Sequence, residues 1–309
     1  MQPTDRLTYV VSEKDEGKKI SRILKDRTKL SSGMIRVVKY NEGVLLNGEN
    51  VRVNHLVKCG DVITVLLNCR QEDTDIIPTN IPLEILYEDD AMLVCNKPPY
   101  MVSHPVRNHL ADTLLNAVVY RMNEEGKRHG IHLVSRLDKD TSGIVIIAKN
   151  PYVQEQLKLQ GERNVFIKKY LGLTNGQPNY DSGIIDAPIA RKEEYSMERI
   201  VHEEGYASVT EYKVIERYEN HALVEFRPIT GRTHQIRVHC LYENFPLLGD
   251  SLYNKPCSFM ERQALHAYKV YFIHPVINMP MEIHAPLPKD MADALNIIKG
   301  CKPRNHQEP

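Results

Sequence analysis

The amino-acid sequence predicts a protein of mixed helices and strands in two domains, and three observations lead to this prediction. The first 70 residues contain two basic, helix-like stretches followed by short strand-like runs. Residues 71–82 lose apolar periodicity and contain two prolines, as is typical of a linker. Beyond them, short β-rich runs alternate with helical segments up to a polar tail at 298–309. A chain of 309 residues is long enough for two domains.

The small domain predicted for residues 1–70 is basic, although the formal net charge of the chain is zero. It holds 13 Lys and Arg against 8 Asp and Glu, a balance of +5, so the remainder carries −5. Two helices are predicted, with a serine cap for the second at Ser31-Ser32. The basic residues cluster there, against the single acid Asp26: Lys18, Lys19, Arg22, Lys25, Arg27, Lys29, Arg36 and Lys39. Such a cluster is typical of a phosphate-binding surface or of a solvated helical face, and charge alone does not decide between them.

Strands are predicted after these helices. Residues 44–46, the pair Asn47-Gly48 and then Val51 and Val53 indicate a hairpin, because Asn-Gly supplies the positive φ angles of a tight turn. A further strand is predicted over residues 62–67. In the larger domain the predicted strands include residues 91–95, 144–148, 170–173, 222–226 and 270–273. Alternation of strands and helices does not by itself decide whether a sheet is parallel or antiparallel.

Composition bounds the class of protein and its compartment. Apolar residues make up 42% of the chain, and no apolar run is long enough to span a membrane or to form a signal core. We therefore expect a cytoplasmic protein without a membrane partner. The six cysteines form no CxxC pair and are expected to be buried free thiols, and neither they nor the 13 histidines show the spacing of a metal site.

The stretch 133–149, LVSRLDKDTSGIVIIAK, contains the strongest candidate for chemistry. Asp138 lies there between Arg136 and Lys139, ahead of an apolar run that predicts a buried strand. A cation close to a carboxyl group lowers its pKa, so Asp138 would remain an anion and could act as a nucleophile. The strand that follows would hold the charged loop rigidly.

The segment RLDKDTSGIVIIAK resembles the signature of the RluA-type RNA pseudouridine synthases, in which it carries the catalytic aspartate. Further blocks that resemble this family follow its order over residues 82–288: 84–105, 167–176, 186–191, 227–239, 247–253, 262–275 and 285–288. The sequence departs from the family at Ser135, where histidine is common, and at Pro99 and Thr174. None of these positions is the expected nucleophile, although Ser135 could alter how the substrate strand is held.

The resemblance implies an α+β fold, with a mixed, largely antiparallel sheet in a catalytic domain over residues 83–297. Residues 1–70, which include VLLNG and CGDVITV, are similar to the small RNA-binding domain named after ribosomal protein S-four. An α/β RNA-binding domain would thus precede the catalytic domain, joined to it by the linker 71–82. The implied activity is conversion of uridine to pseudouridine in structured RNA without a cofactor. We expect the protein to be a monomer.

The resemblance also implies the roles of three residues. Asp138 is the expected nucleophile, attacking either C6 of the base or C1′ of the ribose. Tyr170, in KKYLGL, is expected to pack against the target base and is a candidate for proton abstraction from C5, although a phenol with a pKa near 10 is a poor base without help. Arg237, in TGRTHQIRVH, is expected to pair with Asp138 and keep it charged.

Other residues of the same motifs are candidates for substrate binding: Arg136, Lys139, Thr141, Arg232 and His234. Arg136 could enter the stack that the extracted base leaves, or it could be a second counter-ion of Asp138. Thr233 could cap a helix that carries His234 and Arg237, which lie three residues apart and would share a face.

Three functions are weighed. The first is an RNA pseudouridine synthase, acting on ribosomal RNA or alternatively on transfer RNA. The second is a catalytically inactive RNA-binding protein, against which the retained Asp138, Tyr170 and Arg237 count. The third is a glycosidase, but such enzymes normally use two carboxylates and the motifs offer one.

Overall fold

The computed structural model describes residues 3–67, 75–124 and 130–300. Its N-terminal part is a four-stranded antiparallel sheet in the order β1-β4-β2-β3. The strands are β1 (Arg6–Val10), β2 (Val44–Leu46), β3 (Glu49–Asn50) and β4 (Val62–Leu66). A 3-10 turn (Glu13–Asp15) and the helices α1 (Ile20–Arg27) and α2 (Ser32–Tyr40) connect β1 to β2.

Local signals in this part act as predicted at both the helix cap and the hairpin turn. The Ser31 hydroxyl accepts the N–H of Met34 at 3.4 Å and thereby caps α2. Asn47 and Gly48 have φ angles of 53° and 90°, as the tight turn requires. The hairpin pairing continues one residue beyond β3, where Val51 N–H bonds to Val44 O at 3.1 Å, but the prediction was wrong for Val53. Beyond that point the chain turns to follow the start of α1, where Ser21 N–H bonds to Val53 O at 2.8 Å.

The basic cluster partly serves the fold. The buried carboxylate of Asp15 accepts hydrogen bonds from Arg27 and Lys18, and the Arg27 bonds, followed by those of Lys18, lower its pKa. Arg22 pairs with Asp26 at 2.6 Å. The other five basic residues of the cluster are exposed, and the described part of the chain offers them no ion pair: Lys19, Lys25, Lys29, Arg36 and Lys39.

The larger part of the protein is built on a ten-stranded sheet. Its order is β10-β13-β14-β9-β15-β8-β6-β5, with β16 paired to β15 and β7 paired to β8. Every pairing is antiparallel except that of β15 with β8, so the predicted α+β fold with a mixed, largely antiparallel sheet is confirmed. The strands are β5 (Glu84–Glu88), β6 (Met92–Lys97), β7 (His132–Leu133), β8 (Ser142–Ala148), β9 (Ile167–Asn175), β10 (Ser182–Asp186), β13 (Val209–Arg217), β14 (His221–Pro228), β15 (Leu265–Ile273) and β16 (Pro280–His284).

Within the described residues, four helices and a small hairpin complete this part. The helices are α3 (Leu114–Glu124), α4 (Pro151–Glu162), α5 (Gln235–Tyr242) and α6 (Lys289–Gly300), and the hairpin consists of β11 (Ile189–Arg191) and β12 (Arg199–Val201). Because α6 continues to Gly300 and Ile298 is buried in it, the tail predicted to start at 298 begins inside a helix. Residues 301–309 lie outside the described residues.

The two sheets share one apolar core cluster, to which residues from both parts contribute. Polar contacts also join them: Tyr152 of α4 donates to Thr28 O at 3.2 Å, and Asp90 N–H donates to Thr4 Oγ1 at 3.0 Å. The predicted linker is described only from residue 75, and there Thr79 N–H bonds to Asn116 O. The division into domains stays a prediction.

The structure can be compared with the expectations that the cysteines are buried and that no segment spans a membrane. Cys95 and Cys240 are buried as predicted, whereas Cys59 is exposed and Cys257 is half-buried. The two other cysteines, at 69 and 301, lie outside the described residues. Among the described helices, none combines the length and the apolar character that crossing a lipid bilayer demands.

Strand β8 is buried along its whole length between β6 and β15. Gly143 near its start has φ 115°, and a Cβ atom there would lie 2.3 Å from Ala267 O of β15. No other residue type permits this close pairing, which fixes the loop that precedes β8.

We therefore expect Gly143→Ala to lower the free energy of unfolding by more than about 2 kcal/mol, because both the positive φ and the overlap with β15 oppose a side chain. Urea unfolding would measure this. The matched control is Gly161→Ala in α4, where a Cβ meets nothing within 4 Å. That change should be neutral or stabilising by up to about 1 kcal/mol. Equal stabilities for the two variants would contradict the argument.

Candidate active site

A cleft of about 510 Å³ opens where the loop before β8, strand β9 and the start of α5 meet. Three candidates from the sequence, Asp138, Tyr170 and Arg237, line this cleft together. Of the five other candidates, four line it as well: Arg136, Thr141, Arg232 and His234. Lys139 is exposed and lies outside the lining.

Asp138 and Arg237 form an ion pair, with Arg237 Nη1 at 3.3 Å from Asp138 Oδ2. The guanidinium is buried and also binds the buried carboxylate of Asp250 through two bonds, Nε–Oδ2 at 2.7 Å and Nη2–Oδ1 at 2.8 Å. Burial works against the charge, but the bonds to Asp250 outweigh it and raise the pKa of Arg237. A guanidinium held in this way presents a fixed positive charge to Asp138.

Asp250 was missed by the sequence reasoning, although it lies in the LLGDSLY block. Its carboxylate also accepts the backbone N–H of Leu252 at 3.2 Å, and Arg237 stacks over the ring of Tyr253 at 5.0 Å. The available signal was a lone acidic residue in a block that has no other charged residue, because a carboxylate buried there needs a cationic partner.

The loop that carries Asp138 is tied on one side by a serine and a lysine. Ser103 Oγ donates to Leu137 O at 3.0 Å and accepts Leu137 N–H at 3.3 Å. Lys97, in strand β6, is buried, and its Nζ donates to Lys139 O at 3.0 Å. The loop backbone is thus fixed directly before and after Asp138.

Arg262 and Gln263, which lie just before β15, hold the same loop on its other side. Arg262 Nη1 donates to Asp140 O at 2.9 Å, while its Nε pairs with Asp290 of α6 at 2.6 Å. Gln263 Nε2 donates to Thr141 Oγ1 at 3.2 Å. The Thr141 side chain is buried and helps to hold the loop through this bond, while its part in substrate binding stays a prediction.

The Lys97 ammonium also donates to Pro98 O and Met101 O, at 3.0 and 2.8 Å, so three carbonyl groups match its three N–H donors. Burial, together with the charge of Arg262, lowers the pKa of Lys97 to about 7 from 10.5. Between pH 7 and pH 10.5, Lys97 carries a proton in the unfolded chain but not in the folded protein. The contribution of Lys97 to the free energy of unfolding therefore increases with pH in this range.

We expect the free energy of unfolding of the wild type, relative to Lys97→Met, to increase from pH 7 to pH 10. Below pH 7 both states of the wild type carry the proton, so the difference should be constant there. Urea unfolding of both proteins at a series of pH values would measure the difference. A difference that stays flat from pH 7 to pH 10 would contradict the lowered pKa.

His234 adopts a left-handed conformation, φ 59°, immediately before α5. The prediction that Thr233 caps this helix was wrong, because His234 occupies the cap position and makes no side-chain cap bond. A non-glycine residue in this region is strained, and such strain is concentrated at functional sites. The conformation places His234 Nε2 at 3.9 Å from Asp138 Oδ2.

The neighbours of His234 determine the protonation state of its imidazole ring. Burial, with the charges of Arg237 and Arg199, lowers its pKa against the opposing effect of Asp138, so the imidazole is neutral at pH 7. Tyr253 Oη accepts the N–H of Arg199 at 2.8 Å and lies 2.9 Å from His234 Nδ1. The negative charge of Asp138, 3.9 Å from Nε2, favours the tautomer with its proton on Nε2, in which Nδ1 accepts the hydrogen of the Tyr253 hydroxyl.

Tyr170 lies in β9 and is buried at the wall of the cleft. Burial, and secondarily the negative charge of Asp138, raises its pKa above the usual value. With a raised pKa, even less of the side chain is phenolate at neutral pH than in water, which counts against the predicted candidacy for proton abstraction. The ring remains suited to pack against a base.

Two arginines lie at the edge of the cleft. Arg136 is exposed, and its Nη1 lies 3.5 Å from His104 Nε2; no bond joins it to Asp138 in the described residues, which counts against its being a counter-ion. Arg232 donates from Nε to Ala207 O at 3.2 Å and stacks over the ring of Tyr206 at 5.3 Å. Within the described ranges, no group of three His, Cys, Asp or Glu side chains could hold a metal ion.

Most of the chain is similar in sequence to known proteins. Residues 91–242 match the family model described as RNA pseudouridylate synthase. An uncharacterised RNA pseudouridine synthase of Bacillus subtilis is 37% identical over 272 residues, which are 88% of this chain and 95% of that protein. The ribosomal large subunit pseudouridine synthase D of Haemophilus influenzae is 37% identical over 256 residues, 78% of each protein. The corresponding protein of Blochmanniella floridana is 38% identical over 75% of this chain and 77% of its own length.

A solved structure is similar in fold. The structure of human RNA pseudouridylate synthase domain containing 4 aligns with a TM-score of 0.59 at 24% identity. The alignment covers 70% of this chain and 93% of the human chain.

Proposed function

Because this chain belongs to the RNA pseudouridine synthase family, we propose that it isomerises uridine in ribosomal RNA, with Asp138 as the nucleophile and without a cofactor. Enzymes of this family are isomerases that convert uridine to pseudouridine within RNA. The observation that carries the proposal is the Asp138 carboxylate, held in a cleft at 3.3 Å from the buried guanidinium of Arg237. Several relatives named for the large ribosomal subunit favour ribosomal RNA as the substrate.

The reaction needs a nucleophile and proton transfer but no net change in oxidation state. An oxygen of Asp138 bonds to C6 of the base or to C1′ of the ribose, the C1′–N1 bond breaks, and the base turns. A C1′–C5 bond then forms, and the bond between the carbon and the Asp138 oxygen breaks, which frees the carboxylate. The proton leaves C5 so that the C5–C6 double bond is restored, and N1 gains a proton. The atoms of substrate and product are the same, so the chemistry itself demands no redox cofactor.

The neighbours of Asp138 have separate tasks in this proposal. Arg237, which Asp250 holds in place, orients the Asp138 carboxylate. His234 offers a neutral N–H to the cleft, where it can donate to the substrate as negative charge develops on the base. Tyr170 provides a flat, apolar wall for the base.

A uridine inside folded RNA must leave its stack before it can reach a cleft, at a cost of a few kcal/mol. Arg136 is exposed at the mouth of the cleft and is bound there only to His104 among the described residues. Its guanidinium plane is suited to stack on the bases next to the vacated position. The exposed basic residues of α1 and α2 would bind phosphates of the same RNA farther from the target.

The test is release of tritium from RNA labelled at C5 of uridine, because rejoining the base through C5 displaces that hydrogen. Purified protein would be incubated separately with large-subunit ribosomal RNA and with transfer RNA, each transcribed without modifications. Release from ribosomal RNA, and none from transfer RNA, is the expected result. Release from transfer RNA alone would move the proposal to that substrate, and absence of release from both would favour an RNA-binding protein without activity.

A further inference from the structure

Strand β9 carries two adjacent lysines in different settings. Side chains alternate between the faces of a strand, so Lys168 shares a face with Tyr170, while Lys169 lies on the other face. Lys169 is paired with Glu225 at 2.8 Å. Lys168 is half-buried and, among the residues that the structure describes, its ammonium has neither an ion pair nor a hydrogen bond.

An unpartnered, partly desolvated cation is unfavourable unless a ligand satisfies it. Burial lowers the pKa of Lys168, consistent with this lack of a partner. The fully buried Lys149, by comparison, pairs with Glu88 at 2.8 Å. The setting of Lys168 therefore suggests that its counter-charge arrives with the substrate.

Lys168 lies where the cleft meets a second groove of about 190 Å³, between the end of α4 and the end of β14. The two share a wall of six residues: Val134, Ser135, Lys168, Pro228, Thr230 and Gly231. Lys158 and Arg227 also line the groove, and its lining contains no Asp or Glu among the described residues. Arg227 is already paired with Glu211 at 3.1 Å, so Lys168 and the exposed Lys158 supply the free positive charge.

We propose that this groove binds the RNA strand next to the target uridine, and that Lys168 is the contact for a backbone phosphodiester. The inference rests on the proposed function, since it takes RNA as the occupant of the adjoining cleft. Lys168 and Tyr170 are two residues apart on one face of β9, about 7 Å along the strand. A base against Tyr170 and a phosphate at Lys168 are thus held by one rigid element.

The experiment measures binding of a nine-residue oligouridylate as salt is varied, by fluorescence anisotropy, and it does not depend on catalysis. Lys168→Met is expected to weaken binding about 5- to 10-fold at low salt. It should also reduce the slope of log K against log salt by about 0.7, the value for one phosphate contact with a single strand. Lys169→Met is the matched control, because it removes the same charge from the neighbouring position on the opposite face, and its slope should equal that of the wild type.

Two results would overturn the proposal: an unchanged slope for Lys168→Met, or equal reductions for Lys168→Met and Lys169→Met. Lys168→Arg keeps the charge and should keep the slope, which separates loss of the phosphate contact from loss of folding. On large-subunit ribosomal RNA, Lys168→Met should raise KM several-fold with little change in kcat. If the wild type releases no tritium, the proposed function fails while the binding result still decides the phosphate site.

Discussion

Asp138→Asn should lower tritium release from ribosomal RNA by about 10⁴-fold or more, which corresponds to about 5.4 kcal/mol on the barrier. The amide keeps the shape of the side chain but removes the lone-pair anion that attacks the nucleoside. Affinity for RNA should stay within about twofold of the wild type, because one carboxylate in the cleft contributes little to binding a polyanion. Single-turnover kinetics and a binding titration on the same RNA would separate the two effects.

Stability should change little in the same variant. The loop around Asp138 is fixed by contacts that do not involve its carboxylate, from Ser103, Lys97 and Arg262. Asp181→Asn is a suitable control, since that carboxylate is exposed and pairs with Arg217 away from the cleft. If Asp138→Asn retained more than about one hundredth of the wild-type rate, Asp138 could not be the nucleophile.

Asp250→Asn is expected to impair both stability and catalysis. It removes the charge that balances the buried Arg237 and leaves Asp138 as the remaining carboxylate partner of that guanidinium within the described structure. Breaking a buried pair by removing one partner costs about 3–5 kcal/mol of stability. The guanidinium would also be free to reorient, so we expect kcat to fall by about 10²–10³-fold. Urea unfolding and single-turnover rates would measure the two losses.

Glu88→Gln supplies the comparison for this prediction. Glu88 pairs with the buried Lys149 at 2.8 Å, outside the cleft, so its loss should cost stability while kcat is retained. If Asp250→Asn lowered kcat no more than Glu88→Gln does, Asp250 would serve only the fold. If its kcat fell while its stability matched that of Glu88→Gln, the effect would be attributable to the orientation of Arg237.

Features that depend on a few neighbouring residues were predictable from the sequence. The serine cap at Ser31 and the Asn47-Gly48 turn follow from backbone geometry that those residue types favour wherever they occur. The buried strand β8 follows from its apolar run. The predictions for Val53 and Thr233 failed although they also concern neighbouring residues, because the tertiary path of the chain decided there. The chain turns towards α1 at Val53, and His234 adopts a left-handed conformation before α5.

The pairing of Asp138 with Arg237 came from motif resemblance, because nothing in their separation of 99 residues implies contact. The same motifs contain Asp250 and Tyr253, yet their tasks became visible only when the fold brought them against Arg237 and His234. Lys168 and Lys169 are indistinguishable as sequence letters. They lie on opposite faces of β9, because side chains alternate along a strand. Lys169 therefore meets Glu225 and forms an ion pair, whereas Lys168 lines the open groove without one.

The sequence by itself determined the family, the fold class and the identity of the candidate nucleophile, because these depend on residue type and order. The tertiary structure alone decided which charges are balanced inside the protein and which are left to face the cleft. The reason is physical: burial and distance set the energy of a charge, and both are properties of the folded chain that adjacent letters do not contain.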